Sequence, residues 1–589
     1  MNLLWIVLPS AVVLTIAYFT YGRLLSHLFR LDPNKQTPAE ELNDGLDYEP
    51  IPAHSLLPQH FSAIAAAGPI VGPIVAGLTF GWLPALIWIL VGSIFIGGVH
   101  DMSALVASIR HKATSIAMVV RQHMSRLSYL LFLAFIWIAL IYIIVAFTDV
   151  TAGSFIAAAN PEAGNVSGGA IATSSLLYLV LPIVMGLLMK FYKLPLWAAT
   201  LIFVPLTGVA IWVGQFAPLE VGKILNLSPG NARKVWDFAL LSYCLVAGMV
   251  PVWMLLQPRG HLGGYFLYAA LGAGAIGLAF GNVAVEYHKF LGFTVDMASV
   301  EKVGGINTLF PALFIMIACG ACSGFHSLIA SGTTSKQLKR ETDARSIGYG
   351  AMLMEAMVAI ISLCCVMMFA QGAKELDPNK PNWIYAQGIG KFMQVISTNP
   401  GFKTFAISFG LMAFTTFVYD TLDVCTRLGR YILQELTGQH NFVGMFIGTA
   451  LTAGVPLFFL FGHPSDAPIP VWRVFWNLFG ASNQLLAALT LLGVTVWLWQ
   501  TRRAWWVWIV TGIPTVWMYT MSAWALIALT WPKFYDKGEW KLPLDPVPWA
   551  GVVLMVLALV MLFEAVRVIL SLGGPSQPEP EFAGKPAPA

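Results

Sequence analysis

Long apolar segments, separated by short polar ones, follow one another along almost the whole of this chain. A helix needs about 20 apolar residues to cross the hydrocarbon core of a bilayer, and by that measure the sequence predicts about fifteen membrane spans. Their predicted limits are 3–23, 60–80, 83–108, 127–149, 173–190, 195–215, 236–257, 263–284, 307–331, 347–371, 402–422, 442–461, 472–499, 505–530 and 549–571. We therefore expect an all-α, polytopic bundle of transmembrane helices, formed by a single domain over residues 1–572.

Composition supports a membrane protein, because 57% of the residues are hydrophobic and only 11% are charged, against about 25% charged in soluble domains. The lipid bilayer is therefore an expected partner. The net charge of +4 is spread along the chain, so no nucleic-acid partner is expected. Residues 31–58 are acidic and predict a polar loop on the inner membrane face. The Pro- and Glu-rich tail, 573–589, predicts disorder.

The basic residues predict an orientation, because cytoplasmic loops carry an excess of Lys and Arg. If the N-terminus lies outside, most Lys and Arg fall in inner loops, including the loop at 110–126, whereas the outer loop at 150–172 has none. This distribution predicts a multi-pass protein of the inner (cytoplasmic) cell membrane, with its N-terminus outside and its C-terminus inside.

The second predicted span contains two Gly-Pro pairs, Gly68-Pro69 and Gly72-Pro73. Proline removes a helix donor and clashes with the preceding turn, so the helix should unwind here. Within a membrane, carbonyl groups freed in this way are tolerated only where they face protein or a water-filled cavity. The second span is therefore expected to be discontinuous.

The ninth predicted span, rich in Gly, Ser and Thr over residues 320–335, is the other candidate for a discontinuous helix. By the charge distribution the two interrupted spans run in opposite directions, which is typical of inverted-repeat transporters that bind solute and ion between the two breaks. We place the repeats at about 58–216 and 305–500, with inserted helices at about 235–285. The alternative is that the small residues only allow close helix packing.

Residues at and around the two breaks are the candidates for solute binding. Half-helix N-termini carry partial positive charge and unpaired N–H groups, which suit a carboxylate, and no Lys or Arg is predicted within a span core. The candidates are His60, Gly68, Pro69, Gly72, Ser323, Gly324, Phe325, His326, Ser327, Ser331, Asn483 and Gln484. The histidines could instead tie down loose backbone, and the two amides could line or brace the cavity.

Ionisable groups within spans are rare and costly, which makes them functional candidates. Glu355 is a candidate proton site, or it reaches the nearby inner surface. Asp101 lies close in sequence to Arg110 and His111, which predicts an interfacial ion pair.

A second acidic group lies in the eleventh span, where Asp420 and Asp423 share one helix face and Arg427 follows Asp423 by four residues. This spacing predicts an Asp423–Arg427 ion pair with a structural or gating role.

Several stretches resemble the carbon starvation protein A family of membrane transporters. They are His60 through Pro73, Gly98–Asp101 with Ser108–His111, Gln257–Arg259, Ile317–Ser327, Asp420–Arg427 and Ser482–Ala487. The resemblance implies uptake of small nutrients, with peptides and pyruvate as associated substrates, and a distant relation to the leucine-transporter fold. One departure is Gly260-His261, where the family often has Asp-Tyr; it is expected to affect only a local inner loop.

The implied fold also assigns Thr415 and Thr416 to the helix whose hydroxyls join a sodium site in sodium-coupled relatives. Sodium takes oxygen ligands, so the residue types are compatible, although Thr is also common in buried helix packing. Sodium or protons thus remain alternative coupling ions, and no other cofactor or metal is expected.

The sequence as a whole predicts a secondary active transporter that takes up a small carboxylate-bearing nutrient, a peptide or pyruvate, by cation symport and alternating access. The alternatives are a transporter-like nutrient sensor and an intramembrane enzyme that uses His60, His326 and a carboxylate. The sequence contains no HExxH, Walker A or G-x-S-x-G motif, so no catalytic residue is assigned. The oligomeric state is left open.

Overall fold

The computed structural model describes residues 1–44, 48–157, 166–251, 253–296, 305–465, 467, 469–536, 538–543 and 546–571. These residues are almost entirely helical, apart from a short antiparallel pair of strands, β1 (Tyr535–Asp536) and β2 (Glu539–Trp540). The predicted disordered tail at 573–589 lies outside the described residues.

Helices in the first half of the chain are joined by short connections. In chain order they are α1 (Leu4–Phe19), α2 (Tyr21–Leu28), α3 (Pro38–Glu41), α4 (Ala53–Ile64), α5 (Gly68–Phe80), α6 (Trp82–Gly92), α7 (Gly98–Arg110), α8 (Ile116–His123), α9 (Arg126–Phe155), α10 (Gly168–Phe191), α11 (Leu196–Phe216), α12 (Val221–Ile224), α13 (Pro229–Met249) and α14 (Leu256–Phe280). A π-helical turn, Ser93–Gly97, joins α6 to α7.

The second half of the chain is also mostly helical. Its helices are α15 (Leu309–Met316), α16 (Gly324–Gly332), α17 (Ala351–Met367), α18 (Pro381–Met393), α19 (Pro400–Thr437), α20 (Phe442–Gly462), α21 (Val471–Arg502), α22 (Ile513–Phe534) and α23 (Pro546–Ser571). Two π-helical turns, Arg345–Gly350 and Trp508–Gly512, precede α17 and α22, and 3₁₀ turns form at Thr334–Lys336 and Glu341–Asp343.

Within the described residues, 12 helical segments are long and apolar enough to cross a membrane, or 13 if α4 and α5 count as one bent span. The predicted count of fifteen is therefore not confirmed. Helices do form at the remaining predicted positions. However, α13 carries Arg233, Lys234 and Asp237, and α15 and α16 have only 8 and 9 residues.

The helices differ in how far their neighbours enclose them. The most apolar parts of α19 and α21 are almost wholly buried, whereas α1, α11 and α23 leave most of theirs uncovered. Uncovered apolar side chains suit lipid as the surrounding solvent. The bundle therefore has an inner group of helices, containing α19 and α21, and a peripheral group.

Both predicted interruptions are present. The helix axis bends by 46° between α4 and α5, and non-helical backbone separates α15 from α16. Pro69 lies in the first turn of α5, where its missing N–H is not needed. The prediction that the second pair would also unwind the helix was wrong, because Gly72 and Pro73 lie inside α5.

Candidate functional site

The two interrupted spans pack directly against each other. A Cβ atom on Gly68 would lie 2.3 Å from Cys319 Sγ, and one on Gly72 would lie 2.4 Å from the carbonyl oxygen of Met316. Only glycine allows backbones to approach so closely. The glycines of α5 therefore bring the first break against the non-helical segment of the second.

The N-terminus of α16 is braced by α21. The backbone N–H of Phe325 donates to Asn483 Oδ1 over 2.9 Å, and Asn483 Nδ2 donates to Ser323 Oγ over 3.0 Å. Gln484 Nε2 donates to the carbonyl of Cys322 over 3.1 Å. Both amides thus hold the N-terminus of α16, and they satisfy part of the helix end that was expected to be open.

A cluster of buried ionisable side chains surrounds His326 in α16. His326 Nδ1 lies 2.7 Å from Asp101 Oδ2, and His326 Nε2 lies 3.2 Å from Glu355 Oε2. Asp101 Oδ1 also lies 2.7 Å from His100 Nδ1. These side chains have no exposed surface, so the cluster joins α7, α16 and α17 inside the bundle.

Two expectations about these acidic residues are corrected. Asp101 does not form the predicted interfacial pair, because Arg110 Nε instead donates to Glu341 Oε1 over 2.5 Å. Glu355 does not reach the surface, because α17 buries its side chain beside His326. Both carboxylates could be located only once the helices were placed relative to one another.

Other candidates on α4 and α16 form contacts within the bundle. His60 Nδ1 lies 2.8 Å from Thr334 Oγ1. Ser327 Oγ lies 3.0 Å from Thr490 Oγ1. Ser331 Oγ accepts from the backbone N–H of Ile116 over 3.1 Å. These contacts connect α16 and the turn that follows it to the surrounding helices.

Sequence reasoning missed a buried arginine, Arg259 in α14. Its Nε donates to Asp420 Oδ1 over 2.6 Å, and its Nη1 lies 2.5 Å from Asp423 Oδ2. Asp423 Oδ2 also accepts from the Tyr243 hydroxyl over 2.8 Å, and Asp420 Oδ2 accepts from Ser62 Oγ. Through these bonds the network joins α4, α13, α14 and α19.

The predicted Asp423–Arg427 ion pair was wrong. Arg427 Nη2 donates to the carbonyls of Ala247 and Val250 at 2.9 and 2.6 Å, while Arg259 takes the carboxylate of Asp423. No Lys or Arg was expected within a span core, and the structure places Arg259 in the first turn of α14 with its side chain buried. Gln257-Pro258-Arg259 was a visible motif, but its proline was interpreted as part of a loop. Pro258 instead occupies the first turn of α14, where proline is tolerated.

The hydroxyl-bearing pair on α19 lies within the bundle. Thr415 Oγ1 lies 3.2 Å from Ser175 Oγ and donates to the carbonyl of Met412 over 3.1 Å. Thr416 Oγ1 is buried and has no hydrogen-bond partner among the described residues. Within the same residues, no group of three or more His, Cys, Asp or Glu side chains could hold a metal ion.

Two cavities adjoin this region. The small cavity, of about 50 Å³, is lined by His60, Asp420 and Gly260 among others. The side cavity, of about 650 Å³, lies between α4, α10, α11 and α14, and Gln59 and Gln257 line both cavities. Ligand pockets usually measure about 300–1,000 Å³. The small cavity beside His60 is therefore too small for a solute, whereas the side cavity is large enough for one.

At Gly260-His261 the sequence departs from the family pattern. This departure was expected to affect only a loop, but the structure places it on a helix. Both residues lie on α14; Gly260 lines the small cavity and His261 lines the side cavity. The expectation failed because α14 already begins at Leu256, so Pro258 lies in the first turn of a helix and not in a loop.

Comparison with known proteins gives the family. The sequence profile of the family described as Carbon starvation protein CstA matches residues 2–382 and 376–525. The pyruvate/proton symporter BtsT of Escherichia coli strain K12 is 31% identical, over 89% of this chain and 81% of that protein. The peptide transporter CstA of Helicobacter pylori strain J99 is 30% identical, over 91% of this chain and 83% of that protein.

Among solved structures, the chain is similar to a manganese transporter from Eremococcus coleocola. The TM-score is 0.46 and the sequence identity is 11%, and the match covers 90% of this chain and 98% of that one. The profile match spans far more than half of the chain, and both relatives named above are at least 30% identical to it. The chain therefore belongs to the carbon starvation protein CstA family of membrane transporters.

Proposed function

We propose that this protein takes up a small carboxylate-bearing nutrient, a peptide or pyruvate, by proton symport and alternating access. The observation that carries the proposal is the buried contact of His326 with both Asp101 and Glu355. Its relatives include a pyruvate/proton symporter, which supports the same class of solute and the same ion, and peptide transporters, which support the same class of solute.

The chemistry of this cluster suits proton coupling. An ionisable group at the centre of a membrane costs about 2.5–3.5 kcal/mol on insertion scales, and chains of Asp, Glu and His mark proton pathways. His326 lies between two carboxylates and can bind or release a proton at either ring nitrogen. Since the carboxylates lie on α7 and α17, a change of protonation alters the attraction between α16 and both neighbours. Solute binding can then be linked to helix movement.

The carboxylate of the solute would be recognised at the broken helices. The N-termini of α5 and α16 favour an anion by roughly 0.3–1 kcal/mol when exposed and by up to about 2 kcal/mol when partly buried. The alternative source of positive charge is protonated His326. His326→Gln, which keeps a donor but removes the titration, should retain binding with a weaker pH dependence if helix ends hold the carboxylate.

Sodium is the alternative coupling ion, and one observation favours it. The buried Thr416 hydroxyl has no partner among the described residues, and Na⁺ is a hard cation that takes oxygen ligands. A sodium gradient and a proton gradient must therefore be tested separately.

The experiment is uptake of labelled pyruvate and alanylalanine by the purified protein in sealed liposomes, with each gradient imposed alone. We expect the proton gradient to drive uptake and the recovered solute to be chemically unchanged. Uptake driven only by sodium would contradict proton coupling, and chemical conversion of the solute would favour an enzyme. Methyl pyruvate should not compete with pyruvate; strong competition would show that the carboxylate is not recognised.

A further inference from the structure

The side cavity contains a buried side chain that the proposed proton cluster and broken helices do not use. His261 is only 2% exposed, lines the side cavity, and has Nδ1 as a buried atom without a hydrogen-bond partner among the described residues. A buried polar group without a partner destabilises a protein, and such groups are uncommon. A ligand in the cavity is one way to supply the missing partner.

The contact made by the other ring nitrogen of His261, Nε2, determines whether the missing partner of Nδ1 is a hydrogen-bond donor or an acceptor. Thr200 Oγ1 donates its single proton to the carbonyl of Leu196 over 2.8 Å. His261 Nε2 lies 2.8 Å from the same oxygen, so Nε2 must be the donor in that contact. Neutral His261 therefore carries its proton on Nε2, and Nδ1 is a hydrogen-bond acceptor.

The rest of the lining suits a small anion with an apolar part. Lys190 lies at the cavity with its ammonium nitrogen 5.5 Å from the ring centre of Trp253. No salt bridge of Lys190 is present among the described residues, so its charge is available to a carboxylate. Trp197 and Trp253 supply aromatic surface. The amides of Gln59 and Gln257 line this cavity and the small cavity as well, so they connect His261 with the region of His60.

We infer that the side cavity is a solute subsite, in which His261 Nδ1 accepts a hydrogen bond from the solute and Lys190 attracts its carboxylate. This inference rests on the proposed transport function and narrows the class of solutes that the protein is expected to carry. The subsite favours small carboxylates that also carry a hydrogen-bond donor, such as a hydroxyl, an ammonium or an amide N–H. Pyruvate anion has no such donor, whereas lactate differs from it chiefly by one hydroxyl, and alanylalanine carries both an ammonium and an amide.

Two substitutions of His261 test the roles of its two ring nitrogens separately. His261→Gln places an amide N–H where Nε2 contacts Thr200 and removes the acceptor. His261→Asn places an amide oxygen near the position of Nδ1 and keeps an acceptor. One hydrogen bond contributes about 0.5–1.5 kcal/mol, which corresponds to about a 2- to 13-fold change in affinity. The exposed His440 provides a matched control as His440→Gln.

The test is the KM for uptake of pyruvate, lactate and alanylalanine by the protein in liposomes. We expect His261→Gln to raise the KM for lactate and alanylalanine by about 2- to 13-fold and to leave that for pyruvate unchanged. His261→Asn should restore much of the difference, and His440→Gln should have no effect. A His261→Gln variant that changes all three KM values equally, or none, would overturn the subsite while the transport function stands. Failure of the unmodified protein to transport any of the three solutes would instead refute the proposed function.

A second measurement applies if His261→Gln does not fold. The native cysteines are buried, so Met189→Cys places a single reactive thiol at the side cavity, which Met189 lines. Lactate and alanylalanine should slow its reaction with a polar maleimide more strongly than pyruvate does at the same concentration. Equal protection by all three solutes, or no protection, would overturn the subsite.

Discussion

Arg259 Nε donates a hydrogen bond to Asp420 Oδ1 over 2.6 Å, and neither side chain has more than 3% of its surface exposed. This contact joins α14 to α19, and Asp420 in turn accepts from Ser62 in the first half of the broken span α4–α5. The Ser62–Asp420 bond therefore connects the discontinuous span with the enclosed helix α19. Any movement of α4 relative to α19 must either carry this network along or break the bond between Ser62 and Asp420.

Removal of Arg259 should strongly destabilise the folded protein. Arg259→Met leaves Asp420 and Asp423 buried without their cation, and breaking a buried ion pair from one side costs about 3–5 kcal/mol. We expect a loss of that size in the free energy of unfolding, measured by denaturant titration in detergent. The matched control is Arg427→Met, because the hydrogen bonds of Arg427 in the described part of the chain go to the carbonyls of Ala247 and Val250 and not to a carboxylate. An equal loss in both variants would show that the two carboxylates do not depend on Arg259.

Glu355→Gln should uncouple transport from the proton gradient. The substitution keeps the shape of the side chain but removes the carboxylate that lies 3.2 Å from His326. Proton-driven uptake should fall to the level of empty liposomes, while exchange of solute across the membrane without a gradient should persist. Glu539→Gln, at an exposed site, is the control. Full proton-driven uptake by Glu355→Gln would exclude this residue from the coupling pathway.

Gly324→Ala should overpack the second break. The added Cβ would lie 2.4 Å from the backbone nitrogen of Ala487, which cannot move aside as a flexible side chain could. Overpacking costs about 1–3 kcal/mol, so the melting temperature in detergent should fall. In contrast, Gly454→Ala meets no atom within 4 Å and should be neutral or stabilising, because Ala favours helix. A Gly324→Ala variant as stable as Gly454→Ala would contradict the close packing of α16 on α21.

Acidification should destabilise the connection between α8 and α21. Burial lowers the pKa of His123 below its ordinary value of 6.5, and His123 Nδ1 lies 2.6 Å from Gln500 Oε1 in α21. The unfolded chain then binds this proton more readily than the folded protein, so stability falls as pH drops below about 6.5. Thermal unfolding between about pH 7.5 and pH 5 should show this loss, and His123→Gln should reduce it. An unchanged pH dependence in His123→Gln would show that the loss comes from other groups.

Single cysteines should report the orientation of the chain in intact cells. The native cysteines are buried, so Gln122→Cys and Thr398→Cys, both at exposed sites, introduce accessible thiols. The excess of Lys and Arg around residue 122 predicts that it faces the cytoplasm. An impermeant thiol reagent added outside should label only Thr398→Cys. The reverse labelling pattern would invert the proposed orientation.

The sequence alone determined the class of this protein. Its apolar segments are as long as a bilayer is thick, and lipid leaves few structures other than helices available to them. The two interruptions also followed from local chemistry, because Gly68-Pro69 and the glycines and serines around Ser323 weaken a helix wherever it is placed. The family resemblance, carried by the same stretches, was confirmed.

Only the tertiary structure decided which side chains meet. Asp101 is 225 positions from His326, and Arg259 is 161 positions from Asp420, so nothing in the local sequence could pair them. The nearer partners chosen by spacing, Arg110 and Arg427, were wrong for that reason. An arginine can bind any carboxylate that the packing of helices brings within reach. Which carboxylate that is depends on how α7, α14, α16 and α19 cross, and residue spacing within one helix does not contain that information.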